Sequence, residues 1–554
     1  EGELERAKTN LLTNMENRYK ERDKISNDRY AREYAQNYLV KEPVPGIETE
    51  YQFANEIIPT ITVAEVSAKA KEWIKQENRT IVITGPTDVD HLSEEEAKSI
   101  IAKVETMEID PYEDTVSGES LISEELEGAD IVNTKKLEDF DAVEWTLANN
   151  VKVIYRHADY EKDNVALLAY SKGGASLWGD EYVPSADMTP TFVEAYGVGE
   201  FDAIALRKML TVKKVSLSPS IGSLTEGFNG STTPKDFETM MQLTYLYFEQ
   251  PRFDEEAHNA LMSRYMAFVA NMEKDPAKIM RDSLTFIMAD YHPRVRTMNT
   301  EYLQDVKFEE IQEIYNDRIQ DAGDFTFFIV GNIDEQTAKE MAQKYLGSLT
   351  DSDREESWKD HGIRSPEGKT QKVIPVPLTT PKANVNVRYE NDVDYTQENI
   401  LAIQVLEGIL DLRFTETVRE DEGGTYGVGI GSSMSRYPVN KGSMRILFDC
   451  DPARADELKS IIYREIDKVI ADGPTIVDFD KTIKNLLKDR EQSREHNSFW
   501  LGALYNYYFN GINSADPANY EEILNKMSRE DIQKFAADFF DDADLIDVVF
   551  VPSN

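Results

Sequence analysis

The chain has 554 residues, of which 40% are hydrophobic, and its 61 lysines and arginines are outnumbered by 103 aspartates and glutamates, for a formal net charge of −42. This length predicts three or four domains, and the apolar content is sufficient for a core in each. A surface of this charge repels phosphate backbones and anionic lipid headgroups, which argues against nucleic acid and membrane-surface partners.

Cysteine content and hydrophobicity restrict the fold further. Cys450 is the single cysteine, so neither an intrachain disulfide nor a cysteine-based metal site is expected. No apolar run approaches the roughly 18 residues that would span a bilayer. The longest runs, such as "FTFFIV", have the length of a buried strand. The sequence therefore predicts a protein without a membrane span.

A capped helix followed by a strand occurs three times. Thr62 and Ser528 stand at N-cap positions with Glu65 and Asp531 three residues later, the pattern of a capping box. The closing stretches, such as "TIVIT" and "TFFIV", are β-branched and aromatic, as strands are. We interpret this layout as an internal repeat. The three copies are "ITVAEVSAKAKEWIKQENRTIVITGP" from Ile61, "VKFEEIQEIYNDRIQDAGDFTFFIVGN" from Val306 and "MSREDIQKFAADFFDDADLIDVVFVP" from Met527.

The spacing of the copies defines the domains. Val66, Ile311 and Ile532 hold equivalent positions, which indicates a unit of roughly 220 residues. Two acidic stretches without apolar periodicity are predicted as linkers. Since the first copy has no complete unit before it, we expect that an N-terminal part is missing. The predicted domains are the end of one unit at 1–108, an acidic linker at 109–139, a complete unit at 140–350, a linker at 351–370 and a final unit at 371–554.

The first half of each complete unit is predicted as strands. "VEWTLANNVKVIYRHA" has a turn at Asn149-Asn150 between two extended runs, which is typical of a hairpin. "DNVALLAYSKGGASLW" follows it, and "ANVNVRYEND" is its counterpart in the last unit. Strands, then helices, then a closing strand indicate an α+β fold, with tandem units of a mainly antiparallel sheet covered by helices.

A glycine-rich stretch, "REDEGGTYGVGIGSS" at 419–433, follows a helix-like segment and precedes a strand-like one. A phosphate-binding loop needs the reverse order, with the helix N-terminus facing the anion, and no Gly-Lys-Ser/Thr is present. Gly423 and Gly424 are instead predicted to end the helix, where a positive φ suits glycine. This turn would place Arg419 and Tyr426 on the same side. The alternative is that Arg419 caps helix carbonyls and Tyr426 packs.

The Arg419–Tyr426 arrangement resembles the pitrilysin/insulinase family of zinc metallopeptidases. In the last unit of that family an Arg at a helix end precedes a glycine turn and a Tyr, seven residues apart, as Arg419 and Tyr426 are. The resemblance extends over nearly the whole chain. It implies a fold like that of the mitochondrial processing peptidases, with four related units in the single-chain type. On this basis 1–108 belongs to a second unit, and 140–350 and 371–554 are the third and fourth.

The family's zinc motif, H-x-x-E-H, is missing from this sequence. The six histidines are at 91, 157, 258, 292, 361 and 496, so no two stand four residues apart on one helix face. The third unit reads "TFVEA" where the motif belongs, with Thr191 and Ala195 in place of the histidines and Glu194 at the position of the base. Ala270 stands near the position of the third ligand. A second "YGVG" begins at Tyr196, but Thr189 takes the place of the Arg, and we interpret it as coincidence.

The resemblance implies a non-catalytic C-terminal half that encloses peptides or small unfolded proteins, with the zinc and the catalytic residues in a missing N-terminal half. Arg419 and Tyr426 would contact the substrate, and no metal would be bound by this chain. One alternative is a zinc-free subunit of a two-protein peptidase, and another is a non-catalytic scaffold or core protein of the same fold. The resemblance also suggests a bacterial periplasmic or exported location.

Overall fold

A computed structural model of the chain describes residues 1–25, 27–75, 77–85, 89–108 and 120–553. Their contacts divide the chain into two compact units, Glu1–Ser120 with Arg207–Lys214, and Leu121–Leu206 with Val215–Asn554. In the first unit α1 packs against α3, with the rings of Tyr19 and Tyr51 stacked at a centroid distance of 4.7 Å. The helices of its N-terminal segment are α1 (Gly2–Lys20), α2 (Asn27–Val40), α3 (Ile47–Ile57), α4 (Val63–Trp73) and α5 (Glu94–Thr106).

The first helix–strand copy forms its helix but not its strand. The capping box that begins α4 is present, with the Glu65 N–H donating to Thr62 Oγ1 at 3.3 Å. "TIVIT" was predicted as a strand, yet it is irregular, and Ile81, Val82 and Ile83 are exposed. The prediction is wrong because a strand needs a neighbouring strand for its backbone hydrogen bonds, and the described residues of this unit contain none.

The second unit contains a seven-stranded sheet in the order β1-β2-β3-β7-β4-β6-β5. Its pairs are antiparallel except β3 with β7. Its strands are β1 (Ile131–Leu137), β2 (Ala142–Leu147), β3 (Lys152–His157), β4 (Val165–Lys172), β5 (Val215–Ile221), β6 (Thr225–Thr232) and β7 (Thr326–Gly331). The predicted hairpin is present, since β2 pairs with β3 and Asn150 has a φ of 62°.

The predicted linker at 109–139 needs correction. Residues 109–119 lie outside the described residues, but β1 occupies the end of the range and pairs with β2, from Leu137 opposite Ala142 to Ile131 opposite Leu147. Only Leu137 of the segment "IVNTKKL" is buried, so the strand shows no alternation of apolar and polar residues, and its pattern therefore resembled a linker. The other domain boundaries stay predictions.

A second sheet has the order β10-β11-β9-β12-β8, and here only β8 and β12 run parallel. The first sheet contains the same arrangement as β5-β6-β4-β7-β3, with β1 and β2 added beside β3. The predicted tandem α+β fold is therefore confirmed, with "TFFIV" and "DVVFV" in equivalent strands. The strands of this sheet are β8 (Lys369–Val376), β9 (Ala383–Asn391), β10 (Gly429–Ser435), β11 (Lys441–Cys450) and β12 (Asp544–Pro552).

Each sheet is covered on one face by helices of its own repeat, because alternate residues of its strands are apolar. In the second sheet, Val385, Val387 and Ile446 form one core with the helices. The helices from α6 onward are α6 (Val183–Tyr196), α7 (Ala203–Leu210), α8 (Phe237–Glu249), α9 (Glu255–Met272), α10 (Pro276–Met288), α11 (Thr300–Gln304), α12 (Phe308–Ile319), α13 (Glu335–Tyr345), α14 (Gln397–Phe414), α15 (Ala455–Asp472), α16 (Ile476–Ser493), α17 (Asn497–Asn510), α18 (Glu521–Lys526) and α19 (Arg529–Phe540). None of the described helices has the length and apolarity needed to cross a bilayer.

The opposite faces of the two sheets exchange helices. Helix α17, from the last repeat, packs on the first sheet, where Trp500 and Leu504 join a core with Phe328 and Val330. Helix α10, from the preceding repeat, packs on the second sheet through Ile287. The two repeats are therefore held together by reciprocal apolar packing.

A buried ion cluster fixes the segment between the repeats onto the first sheet. Arg318, only 1% exposed, places Nη1 at 2.8 Å from Glu356 Oε2 and at 3.8 Å from Glu226 Oε1. The Gly174 N–H also donates to Glu226. Burial raises the pKa of the Glu226 carboxyl to about 7, against the opposing influence of Arg318. Glu356 belongs to the predicted linker 351–370, and its pairing ties that segment to α12.

Candidate functional site

The helix that leads to the glycine-rich stretch is fixed along its whole length. Thr396 caps α14 by accepting the Asn399 N–H at 3.2 Å, and Ile403, Leu406 and Ile409 are buried against the second sheet. The chain then continues as a π-helix over Thr415–Asp421. This widened turn carries Arg419, and the buried Val418 beside it secures the helix end in the core.

Two glycines end the helix, as predicted. Gly423 has a φ of +56°, and its N–H donates to the Arg419 carbonyl at 3.1 Å. A Cβ at Gly424 would lie 2.7 Å from Leu458 Cδ2, and Leu458 is fully buried. Only glycine therefore lets the chain pass this close to α15. The chain passes from a helix through the turn into strand β10, as the sequence predicts. A phosphate-binding loop has the reverse order, strand before helix.

Arg419 and Tyr426 lie on the surface on either side of this turn. Tyr426 is 93% exposed. The exposed Arg419 guanidinium forms no hydrogen bond or ion pair with any described residue. The Arg419 side chain therefore does not cap the helix, and the Tyr426 side chain is not packed in the core. This differs from the alternative in which Arg419 caps helix carbonyls and Tyr426 packs. By contrast Tyr196, of the second "YGVG", is fully buried, and its hydroxyl lies 2.8 Å from His258 Nδ1.

Further contacts around the turn were not predicted from the sequence. Lys382 Nζ lies 5.6 Å from the centroid of the Tyr426 ring, within the range of a cation–π contact. Glu407 on α14 accepts hydrogen bonds from Ser432 N at 2.9 Å and Ser432 Oγ at 2.6 Å, and so joins the helix to β10. Neither residue belongs to a local motif, since the fold brings both to the turn from other parts of the chain.

The residues at the predicted motif position do not form a zinc site. Thr191 and Glu194 are exposed on α6, and Ala195 between Glu194 and Tyr196 has no donor atom in its side chain. Ala270 is exposed on α9. No group of three histidine, cysteine, aspartate or glutamate side chains suited to a metal occurs among the described residues. These residues do not fit the zinc that the family implies.

Comparison with known proteins agrees with the resemblance inferred from sequence. Residues 305–486 match the family model described as the peptidase M16 inactive domain. A zinc protease PQQL-like protein of Arabidopsis thaliana is 23% identical over 539 residues, which cover 93% of this chain and 53% of that protein. A probable zinc protease PqqL of Haemophilus influenzae is 23% identical over 466 residues, or 82% of this chain and 48% of that protein. The chain thus spans about half the length of these curated relatives.

A similar fold occurs in a solved structure. The periplasmic protease PqqL of Escherichia coli superposes with a TM-score of 0.69 at 18% identity, covering 100% of this chain and 61% of that one. At this level of identity the likeness concerns the fold. With the sequence relatives and the matched domain, it confirms the resemblance to pitrilysin/insulinase-type peptidases: residues 305–486 match the peptidase M16 inactive domain, and the relatives are named zinc proteases.

Proposed function

We propose that this chain is the non-catalytic C-terminal half of a zinc metalloendopeptidase and that it encloses and binds peptides or small unfolded proteins. A missing N-terminal half would hold the zinc and carry out the cleavage. The names of the relatives support a peptidase, and the fold resembles that of a periplasmic protease, which supports a periplasmic or exported location. A polypeptide ligand is supported by the structure of a ferredoxin protease in complex with ferredoxin. That structure superposes with a TM-score of 0.70 at 13% identity, covering 96% of this chain and 58% of that one.

The observation that carries the proposal is the exposure of Arg419 and Tyr426 on either side of the glycine turn. A guanidinium presents several N–H donors in a fixed plane, and substrate carbonyl oxygens are suitable acceptors. The Tyr426 hydroxyl can donate to a substrate carbonyl or to the oxyanion formed from it. Because neither side chain has a hydrogen-bond partner among the described residues, substrate contacts would replace only water.

Arg419→Lys is expected to weaken the binding of an unstructured peptide to this chain roughly tenfold, because a single ammonium cannot reproduce the two-pronged fork. Fluorescence anisotropy of a labelled peptide measures the change in Kd. Arg464→Lys is the matched control, since Arg464 is 57% exposed and lies on α15. Equal affinities for the wild-type chain and the Arg419→Lys chain would contradict the proposed contact.

The purified chain is also expected to hold no stoichiometric zinc and to cleave no peptide. The physical reason is the replacement of both motif histidines by Thr191 and Ala195, which leaves no pair of imidazoles on α6. Elemental analysis after dialysis measures the metal content. About one tightly held zinc per chain would overturn the assignment of catalysis to the missing half.

A further inference from the structure

A cavity lies between α10 and the face of the second sheet on which this helix packs. Its volume is about 340 Å³, which is enough for a few side chains of a ligand. The floor is apolar, and Leu447, at 36% exposure, is the most accessible part of it. The walls carry three arginines, one from α10, one from β9 and one from β11. We call this site the arginine cavity, and its principal lining residues are Arg281, Arg388, Arg445, Leu284, Met288 and Leu447.

The charge of the arginine cavity is opposite to that of the chain. No aspartate or glutamate is among its lining residues, although the whole chain carries a net charge of −42. Glu390 neutralises Arg388, with Arg388 Nε donating to Glu390 Oε1 at 2.6 Å. Arg281 and Arg445 form no ion pair with any described residue. Two guanidiniums are therefore available to an anionic ligand.

Arg445 is held in position by a chain of amides. Its Nη2 donates to Asn386 Oδ1 at 2.9 Å, Asn386 Nδ2 donates to Asn384 Oδ1 at 2.6 Å, and Asn384 Nδ2 donates to Asp449 Oδ1 at 2.7 Å. Asn386 is only 5% exposed, so this relay is fixed by the sheet. The relay uses one nitrogen of the guanidinium and leaves its other N–H donors for a ligand.

The arginine cavity begins at the same end of the sheet as the glycine turn. Leu447 lies opposite Gly429 in the pairing of β10 with β11, and Gly429 follows Tyr426 by three residues. Asn384 follows Lys382 by two residues, and Lys382 contacts the Tyr426 ring. A peptide that passes the turn could therefore extend into the cavity with its neighbouring residues.

We propose that the arginine cavity binds a carboxylate of the peptide substrate next to a bulky apolar side chain. Arg281 and Arg445 would bind the carboxylate, and Leu284, Met288 and Leu447 would contact the apolar group. This inference rests on the proposed function and adds a substrate class to it, peptides with an acidic group beside an apolar residue. The carboxylate could belong to an aspartate or glutamate within the peptide or to its C-terminus.

Three labelled peptides of otherwise identical sequence would test the cavity by fluorescence anisotropy. The first contains -Phe-Glu- and has an amidated C-terminus. The second contains -Phe-Gln- and also has an amidated C-terminus, and the third contains -Phe-Gln- and has a free C-terminal carboxylate. The wild-type chain is expected to bind at least one of the peptides that carry the additional carboxylate roughly tenfold more tightly than the amidated -Phe-Gln- peptide. The peptide that gains affinity identifies the source of the carboxylate.

Arg445→Gln and Arg281→Gln are each expected to abolish this preference, so that the three peptides bind with similar affinity. Both positions are exposed, so folding should be preserved, and Arg464→Gln controls for the change in net charge. Equal wild-type affinity for all three peptides, or a preference retained in both variants, would overturn the inference and leave the proposed function intact. Failure to bind any of the peptides would overturn both.

Discussion

Tyr426→Phe in the complete enzyme is expected to lower kcat on the order of 10²-fold, the loss typical of one oxyanion-hole donor. The change removes one hydroxyl from a side chain that is 93% exposed, so the stability of the fold should not change. Steady-state kinetics on a peptide substrate measures the effect, with thermal unfolding as the check on folding. If Tyr426 had only a structural role, stability would change by about 1 kcal/mol or less and turnover would persist.

Tyr38→Phe is the matched control for this experiment. Tyr38 is 76% exposed on α2 and is outside the glycine turn, so removal of its hydroxyl should leave kcat unchanged. Full activity of a well-folded Tyr426→Phe enzyme would refute the assigned role. A similar loss of turnover in both variants would indicate a general effect of removing surface hydroxyls.

Arg318→Met should destabilise the chain by roughly 3–5 kcal/mol at pH 8, because the buried Glu226 then loses its cation. The penalty should shrink as the pH falls through about 7, where Glu226 takes up a proton. Urea unfolding at pH 8 and pH 5.5 measures both effects. Arg264→Met is the control, since Arg264 is exposed on α9 and forms no ion pair with a described residue. An equal loss of stability at the two pH values would contradict the pairing of Arg318 with Glu226.

Glu226→Gln tests the contribution of the Glu226 carboxyl to the pH dependence of stability, apart from the other charged groups of the cluster. The folded-state pKa of about 7 is above the ordinary value of 4.5, so the folded chain binds this proton more tightly than the unfolded chain. The resulting stability is fully present below pH 4.5 and is lost as the pH rises through 7, a change of roughly 3 kcal/mol. In Glu226→Gln this part of the pH dependence should be absent from urea unfolding curves, whereas an unchanged curve would contradict the raised pKa.

Sequence periodicity and capping predicted the elements that depend on local interactions. The capping boxes at Thr62 and Ser528 are present, and the strands that end the second and third copies form as expected. The strand "TIVIT" did not form, because strand propensity takes effect only where a partner strand is available. The reverse error concerned β1, in which Leu137 is the single buried residue, so its sequence has no alternating apolar face to recognise.

The turn could be predicted from sequence, but its surroundings could not. A helix pattern, two glycines and a strand pattern in succession were enough to predict the helix end and the turn between Arg419 and Tyr426. The placement of both side chains on the same side stays a prediction. Lys382 and Glu407 contact the turn region only because strands and helices pack in three dimensions. The arginine cavity has the same origin, since Arg281 and Arg445 come from different repeats and meet through the exchange of α10.

Site-specific cross-linking from position 426 tests the central claim most directly. The complete enzyme would carry p-benzoylphenylalanine in place of Tyr426 and would be irradiated with a peptide substrate under conditions that prevent cleavage. Mass spectrometry then identifies the substrate residue that is joined to the enzyme. We expect the cross-link within a few residues of the peptide bond that the wild-type enzyme cleaves. Cross-links that join position 426 only to the enzyme itself, with none to the substrate, would contradict the substrate-binding role of the turn.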